Sequence, residues 1–421
     1  MQLSFITRPA TIASMIAAIL LSAVTQSPAN PDIVVTAAPH QPAAVLMTFD
    51  RTGAEQTRVL RGFSSRATRR PLTADDPVRV ASISKLVVAI GVMRLVDRRR
   101  IDLDADVSRY LGWRLRHPAY PDRPITLAML LSHRSGLADG IDYVLPLDAD
   151  LETALSDPAA WDRQRRPGGQ FAYANINFPV VAAAMEGATG ERFDRLMHRL
   201  VFEPLRIDAC YNWTMCSDDA VARAVTLYRP NGDVARDELN GQRPACPVVP
   251  ARDGSCDLAT YRLARHGAAF SPQGGLRISA RGLASIGQLL LRDGDRFLSP
   301  RSYRRLIATQ PVTALATPSV GEGGEGSFFC RFGLAMHQLA TARAGCRDDP
   351  IGDARPRIGH SGVAYSLRSG LFLDRERGTG VVWFVTENPE FNAPGGSRSA
   401  FTAAEEALID AAGLPEPERR R

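Results

Sequence analysis

The chain has 421 residues, of which 45% are hydrophobic and 23% charged, and its formal net charge is +6. These proportions are typical of a globular enzyme with a large core. The arginines are scattered, with no basic stripe interleaved with aromatic residues and no zinc-ligand spacing, so we expect no nucleic-acid partner and no metal site.

The first residues have the pattern of an export signal. Arg8 supplies a sparse positive charge, and the run from Ile12 to Val24 is apolar and rich in small residues. A run of about 13 apolar residues is too short for a comfortable membrane span. We therefore predict a signal peptide over residues 1–29 and a flexible leader over residues 30–42. The mature protein would be periplasmic or secreted, with no membrane span.

The next segments show strand and helix patterns in turn. Residues 82–96 are apolar on nearly every side, and because this stretch is long for a strand, it predicts a central helix. Strands at both ends of the chain, with helices between them, indicate one mixed sheet with a helical insert. The other predicted elements are strands over 45–49, 367–373 and 381–386, and helices over 125–132, 176–186, 283–291 and 400–412.

The six cysteines all lie in the second half of the chain, in three couples with five, nine and 15 intervening residues. Six cysteines allow fifteen disulfide connectivities, but pairing of sequence neighbours closes only small loops. A metal cluster is the disfavoured alternative, because the sequence has no Cys-x-x-Cys motif. Such usage agrees with an exported protein. The predicted disulfides are Cys210–Cys216, Cys246–Cys256 and Cys330–Cys346.

Lys85 is the only lysine among 51 lysine and arginine residues, and it lies three positions after Ser82. A lysine can lose its proton when it is buried or beside another cation, whereas an arginine cannot. On a helix these two positions share a face, so the amine can activate the hydroxyl as a nucleophile. The alternative interpretation is an arginine-rich coding bias with one leftover lysine.

Two further motifs favour the catalytic interpretation: Tyr173-x-Asn175 and His360-Ser361-Gly362. With Ser82-x-x-Lys85, their order and separations resemble the three active-site motifs of the class C β-lactamase-like serine hydrolases. That family includes penicillin-binding carboxypeptidases, D-amino-acid peptidases and esterases. The flanking stretches 130–137, 202–205 and 274–276 are also similar to the family.

The resemblance extends over residues 43–412, which we take as one hydrolase domain followed by a disordered tail over residues 413–421. It implies an α+β fold of the β-lactamase and penicillin-binding transpeptidase type. In that fold, which is mixed α/β, helices and a helical subdomain surround a central antiparallel sheet. No cofactor is implied.

The resemblance also implies a role for each motif residue. Ser82 would be the nucleophile, and its backbone N–H and that of Val363 would form the oxyanion hole. Lys85 would take or relay the proton, while Tyr173 would be the general base in the family pattern, so both stay candidates for the proton acceptor. Asn175 would hydrogen-bond to a substrate amide or to Lys85. His360, Ser361 and Gly362 would bind the substrate.

His360 departs from the pattern of β-lactamases proper, which usually have a carboxylate-binding lysine at this position. A histidine with a pKa of about 6.5 is mostly neutral at pH 7, so carboxylate binding would be weaker or would strengthen on protonation near pH 6. A purely structural histidine is the alternative. Residues 363–365 also replace the usual glycine-rich stretch, so the pocket rim is expected to be unusual.

The sequence therefore predicts an exported, monomeric serine hydrolase that forms a covalent acyl-enzyme. Its substrate would be a small molecule or peptide-like compound with an amide, ester or β-lactam bond, and peptidase or esterase activity is favoured over efficient β-lactam hydrolysis. A penicillin-binding or sensor module that deacylates slowly is the alternative, because it would use the same nucleophile.

Overall fold

Strands from the early and the late part of the described chain belong to the same central sheet. The computed structural model describes residues 42–229, 231–312, 325–386 and 395–415. The strands in chain order are β1 Ala44–Asp50, β2 Glu55–Arg61, β3 Val78–Arg79, β4 Cys210–Tyr211, β5 Leu227–Tyr228, β6 Val234–Arg236, β7 Leu276–Ile278, β8 Thr309–Pro311, β9 Arg331–Gly333, β10 His337–Leu339, β11 Arg357–Ala364, β12 Leu367–Asp374 and β13 Thr379–Val385.

Eight of these strands form one antiparallel sheet in the order β2-β1-β13-β12-β11-β10-β9-β8. The first strand pairs with the last along its whole length, from Ala44 opposite Val385 to Asp50 opposite Thr379. Two small sheets, β3-β7-β4 and β5-β6, lie outside it. The predicted mixed fold with a central antiparallel sheet is confirmed.

The helices fill the long interval between β2 and β11 and follow β13. A π-helical turn at His198–Phe202 joins two of them, and 3₁₀ turns occur at Pro158–Ala160 and Leu258–Thr260. The helices in chain order are α1 Ile83–Asp97, α2 Ser108–Leu111, α3 Leu127–Leu131, α4 Leu151–Ala154, α5 Asn177–Thr189, α6 Phe193–Met197, α7 Glu203–Leu205, α8 Asp218–Ala222, α9 Ala280–Leu291, α10 Pro300–Ile307, α11 Glu325–Phe328 and α12 Ala403–Ala411.

Helix α1 is the predicted central helix. Nearly every residue from Ile83 to Leu95 is buried, because the helix is apolar all round and lies inside the molecule, against β11 and β12. It begins immediately after Ser82, which occupies the position before its first residue. The predicted interval of 82–96 is therefore correct to one residue at each end.

The other predicted helices differ from the observed ones mainly at their ends, where side-chain caps decide the boundary. Helix α9 begins three residues earlier than predicted, because the Ser279 side chain accepts a hydrogen bond from the Gly282 N–H. Helix α3 is shorter than predicted and begins after the cap Thr126. Helix α12 begins after Thr402, which forms a capping box with Glu405.

The structure joins the six cysteines as predicted, in the pairs Cys210–Cys216, Cys246–Cys256 and Cys330–Cys346. Each pair closes a short loop of the chain. The first two lie in the loop-rich stretch between α7 and β7, where few regular elements occur.

The predicted signal peptide and all but the last residue of the predicted leader lie outside the described residues, as do residues 416–421 of the predicted tail. At the start of that tail, Leu414 packs against the apolar cluster between the sheet and α12. Within the described residues, no helix is long and apolar enough to cross a bilayer.

The ring of Phe49 fills a slot between two glycines, one in α9 and one in β13. A Cβ atom added at Gly287 or at Gly380 would lie 2.3 Å from the Phe49 Cζ atom. Because Phe49 lies on β1 and the two glycines belong to α9 and β13, ring and backbones are held by regular elements and such an atom has no room. The two glycines thus set how closely α9 packs on the sheet.

We predict that Gly287→Ala lowers the free energy of unfolding by roughly 1–3 kcal/mol, the usual cost of overpacking a core. Adding Phe49→Leu should recover part of that loss, so the double variant should be more stable than the sum of the single effects implies. Denaturant unfolding measures both. Gly274→Ala is the control, because its Cβ would meet its nearest neighbour at an ordinary 3.7 Å. An equal loss of unfolding free energy in Gly274→Ala would contradict the tight packing of Phe49 between the two glycines.

Candidate active site

Ser82 lies at a sharp turn between β3 and α1. The preceding residue, Ala81, has a left-handed backbone with a φ of 49°, although it is buried and not a glycine. This conformation costs an alanine roughly 1–2 kcal/mol, so the surrounding structure must hold it. The turn places the half-buried Ser82 at the start of α1, where the first backbone N–H groups lack helical partners.

Lys85 is completely buried one turn into α1, and its amine contacts three acceptors. Its Nζ atom lies 2.9 Å from Ser82 Oγ, 2.8 Å from Asn175 Oδ1 and 2.8 Å from the carbonyl oxygen of Gln273. An ammonium group can donate to all three. A neutral amine can donate to the amide and carbonyl oxygens while it accepts the Ser82 proton, so the same arrangement serves both protonation states.

Asn175 is held in place by Asp139, a residue that the sequence reasoning missed. One carboxylate oxygen of Asp139 accepts from the Asn175 backbone N–H at 2.8 Å and from Asn175 Nδ2 at 2.9 Å. The other accepts from the Ile176 N–H at 3.0 Å. Because the carboxylate fixes Nδ2, the Asn175 oxygen must face Lys85. The only sequence signal was an acidic residue two positions after the family-like stretch 130–137.

The ring of Tyr173 lies between two other rings. It stacks on His133 with a centroid separation of 4.2 Å and on Phe329 with one of 5.1 Å. Lys85 Nζ lies 5.0 Å from the Tyr173 centroid. His133 has a φ of 54°, and its Nδ1 atom is 3.1 Å from the Ala174 N–H nitrogen, which donates to it. The structure therefore brings Tyr173 to Lys85 and holds its ring from both faces.

His133 is neutral in this environment. Burial, and then the positive charge of Lys85, hold the pKa of His133 well below its ordinary value. Its neutral ring stacks on Tyr173 without adding a second cation beside Lys85. In the sequence, His133 belonged only to a flanking stretch and had no assigned role.

His360 lies on β11 with its ring buried, only 1% exposed, and near Phe332 and Tyr173. Its Nδ1 atom is 2.6 Å from the carbonyl oxygen of Ser361, so the neutral ring carries its proton there. Burial, followed by the charge of Lys85, lowers the pKa of His360 to about 3. The expected protonation of His360 near pH 6 is therefore wrong, because the strand turns this side chain into the protein.

Strand β11 lies tightly against the turn that carries Ser82. A Cβ atom added at Gly362 would lie 2.3 Å from the carbonyl oxygen of Val80 and 2.4 Å from Ser369 Oγ. Only glycine permits this approach. Ser361 is buried on the same strand, and Val363, half-buried, follows Gly362 and pairs with Arg368 of β12. The third motif thus packs on the turn before Ser82 through the backbone of Gly362.

The chain is similar to known proteins over most of its length. The family model Beta-lactamase matches residues 35–405. The chain is 32% identical over 171 residues to esterase EstB of Burkholderia gladioli, a stretch that covers 36% of this chain and 43% of that protein. It is 28% identical over 181 residues to the D-alanyl-D-alanine-carboxypeptidase/endopeptidase AmpH of Escherichia coli (strain K12), covering 41% and 42%. The chain spans less than half the length of these relatives.

Solved structures resemble the whole domain. The D-amino acid amidase from Ochrobactrum anthropi SV3 complexed with D-phenylalanine gives a TM-score of 0.60 at 17% identity, covering 89% of this chain and 94% of that one. The octameric penicillin-binding protein homologue from Pyrococcus abyssi gives 0.58 at 18% identity, covering 89% and 74%. At such low identity the likeness concerns the fold, and it agrees with the antiparallel sheet and its surrounding helices.

We predict that Asp139→Ala lowers kcat/KM for a 4-nitrophenyl ester by about ten- to a hundredfold, since three hydrogen bonds to a carboxylate that fix Asn175 are lost. Steady-state kinetics would measure it. Asp102→Ala is a matched control, because this exposed carboxylate accepts from the Asp104 N–H just beyond the far end of α1. Equal losses in both variants would mean that Asp139 only supports the fold.

We predict that the preference between a carboxylate-bearing and a neutral ester does not change between pH 5.5 and 8, because His360 stays neutral throughout this range. The measurement is the ratio of kcat/KM for mono-4-nitrophenyl glutarate and 4-nitrophenyl pentanoate. An ionisable group that affects the hydrolysis of both esters equally leaves this ratio unchanged. A step in the ratio near pH 6.5 that disappears in His360→Gln would contradict the neutral histidine.

Proposed function

Because the chain belongs to the β-lactamase family of serine hydrolases, we propose that it is an exported, monomeric hydrolase that forms a covalent acyl-enzyme on Ser82. The single observation that carries this proposal is the 2.9 Å contact between Ser82 Oγ and the buried Nζ of Lys85. A lysine so buried, with the hydroxyl as one of only a few polar neighbours, is suited to exchange a proton with it.

The reaction would proceed in two halves. Ser82 Oγ attacks the substrate carbonyl carbon, and its proton passes to a neutral Lys85 amine or to a Tyr173 phenolate. The bond to the leaving group breaks as that group receives a proton. Water then attacks the acyl-enzyme with the same residues acting in reverse, and the acid product leaves. The backbone N–H groups of Ser82 and Val363 are the proposed donors to the oxyanion.

Esters and amides are the proposed substrates, in preference to penicillins. His360 is neutral and buried, so it offers no cation at the position where β-lactamases proper usually have lysine. One relative is named as an esterase and another as a D-alanyl-D-alanine-carboxypeptidase/endopeptidase, which supports small-molecule or peptide-like substrates. Three disulfides within one chain support an oxidising compartment, and hence export.

The test is covalent labelling together with turnover. A fluorophosphonate should add one equivalent to the wild type on Ser82, as located by peptide mass spectrometry, and Ser82→Ala should show neither adduct nor ester hydrolysis. Lys85→Arg keeps the charge but cannot release the proton, so turnover should fall by about two orders of magnitude or more. Undiminished turnover in either variant would overturn the proposal.

The same preparation separates a hydrolase from a module that binds penicillin and deacylates slowly. A fluorescent penicillin should leave only a transient label if the protein turns its acyl-enzyme over. A label that persists for hours, with no ester turnover, would instead favour the binding or sensor function.

A further inference from the structure

Arg79 is a buried cation that has no ion-pair partner among the described residues. It lies on β3, three residues before Ser82, and only 8% of it is exposed. Its Nε atom is buried without a hydrogen bond, and its guanidinium forms no ion pair within the described part of the chain. Burial and the neighbouring Arg277 lower the pKa of Arg79 to about 10, which still leaves it charged at neutral pH. A buried charge of this kind is unfavourable unless something balances it.

The guanidinium group of Arg79 approaches the turn between β11 and β12, next to the third motif. Its guanidinium carbon lies 5.5 Å from the centroid of the Tyr365 ring. The guanidinium carbon of Arg229, which follows β5, lies 5.9 Å from the same centroid. Arg229 is exposed and has no ion pair in the residues that the structure describes. Two cations from separate elements therefore converge on one ring.

The carboxylate that acts most strongly on Arg79, that of Asp237, is already paired with a different arginine. Asp237 Oδ1 accepts from Arg277 Nη2 at 2.8 Å and from Trp213 Nε1 at 2.9 Å. Arg277 lies directly opposite Arg79 in the pairing of β3 with β7. Asp237 is the only carboxylate among the described groups that act strongly on Arg79, whereas Arg236 adds a further positive charge near it. The positive charge at this place exceeds the negative charge that the described chain supplies.

We propose that Arg79 and Arg229, which both approach the ring of Tyr365, form a binding site for a carboxylate group of the substrate. The inference rests on the hydrolase function proposed above, because the carboxylate belongs to the molecule that Ser82 attacks. A guanidinium group matches a carboxylate with two parallel N–H donors. The two arginines, on β3 and in the β5–β6 hairpin, would thus supply the positive charge that the neutral His360 does not provide.

The position of the site suits a small substrate. The Cα atoms of Arg79 and Ser82 are three residues apart along the chain, a separation that spans at most about 10 Å even when fully extended. Tyr365 follows Val363 by two residues, on the same rim as the proposed oxyanion donor. Esters and amides that carry a carboxylate a few bonds from the scissile carbonyl are the class that the site would select.

The test compares two esters that share a leaving group and an acyl chain length. Mono-4-nitrophenyl glutarate ends in a carboxylate where 4-nitrophenyl pentanoate ends in a methyl group. Arg79→Gln should lower kcat/KM for the glutarate ester at least tenfold, mainly by raising KM, and change the pentanoate ester less than twofold. Arg229→Gln should lower kcat/KM for the glutarate ester several-fold. Arg301 is an exposed arginine on α10, and Arg301→Gln should change kcat/KM for neither ester.

A second pair places the carboxylate on the leaving group: 4-acetoxybenzoate and its methyl ester. A loss restricted to the anionic member of either pair supports the site. Equal losses on anionic and neutral esters in folded Arg79→Gln, with no effect of Arg229→Gln, overturn it. If Arg79→Gln does not fold, as judged by circular dichroism, the exposed Arg229→Gln decides the same question.

Binding without turnover separates this inference from the proposed function. Calorimetry of mono-4-nitrophenyl glutarate with Ser82→Ala should show binding that Arg229→Gln weakens several-fold, while the pentanoate ester shows no such change. If Ser82→Ala still hydrolyses both esters, the proposed nucleophile is wrong, yet arginine-dependent binding would keep the carboxylate site. If substitution of either arginine leaves the binding of the glutarate ester unchanged, the carboxylate site is wrong, whereas the proposed hydrolase function is unaffected.

Discussion

The burial of one ammonium group beside a serine hydroxyl is the constraint on which the site depends. Lys85 sits inside a helix that is apolar on every side, so a charge there requires acceptors close by. The acceptors come from three separate segments: the start of α1, the stretch before α5 and the turn before β7. One group's need for hydrogen bonds therefore fixes the relative positions of these segments.

Around Lys85 and its acceptors, a second set of residues limits how the motif side chains can move. Asp139 turns the Asn175 amide, and the rings of His133 and Phe329 confine Tyr173. Gly362 lets β11 close on the turn before α1. None of these needs to touch a substrate, and each acts through a group that the motifs contain. Such outer support is what holds catalytic groups to within fractions of an ångström.

Ser82 and Lys85 could be predicted because their chemistry is visible locally, as a lone lysine with a serine on the same helix face. Tyr173, Asn175 and His360 could be predicted from the order of the motifs, through the resemblance to the family. Asp139 could not, because it bonds to backbone N–H groups 36 and 37 residues away, a contact that leaves no pattern in the chain. The burial of His360 depends on which face of β11 is covered, which the neighbouring strands decide. Strands β8 to β10 are three residues each, too short to show an alternating pattern, and β2 is a polar edge strand.

The pairing of the first strand with the last has a consequence for how the protein is made. Ala44 meets Val385, so the middle of the sheet closes only when almost the whole chain is available. Contacts this distant in sequence slow folding, and until β13 arrives, β1 and β12 each present an unpaired edge. A chain cut short before residue 379 would keep every motif residue, yet it would expose both edges to other chains. The strand Thr379–Val385 therefore protects the sheet against aggregation during synthesis, besides completing the fold that holds the site.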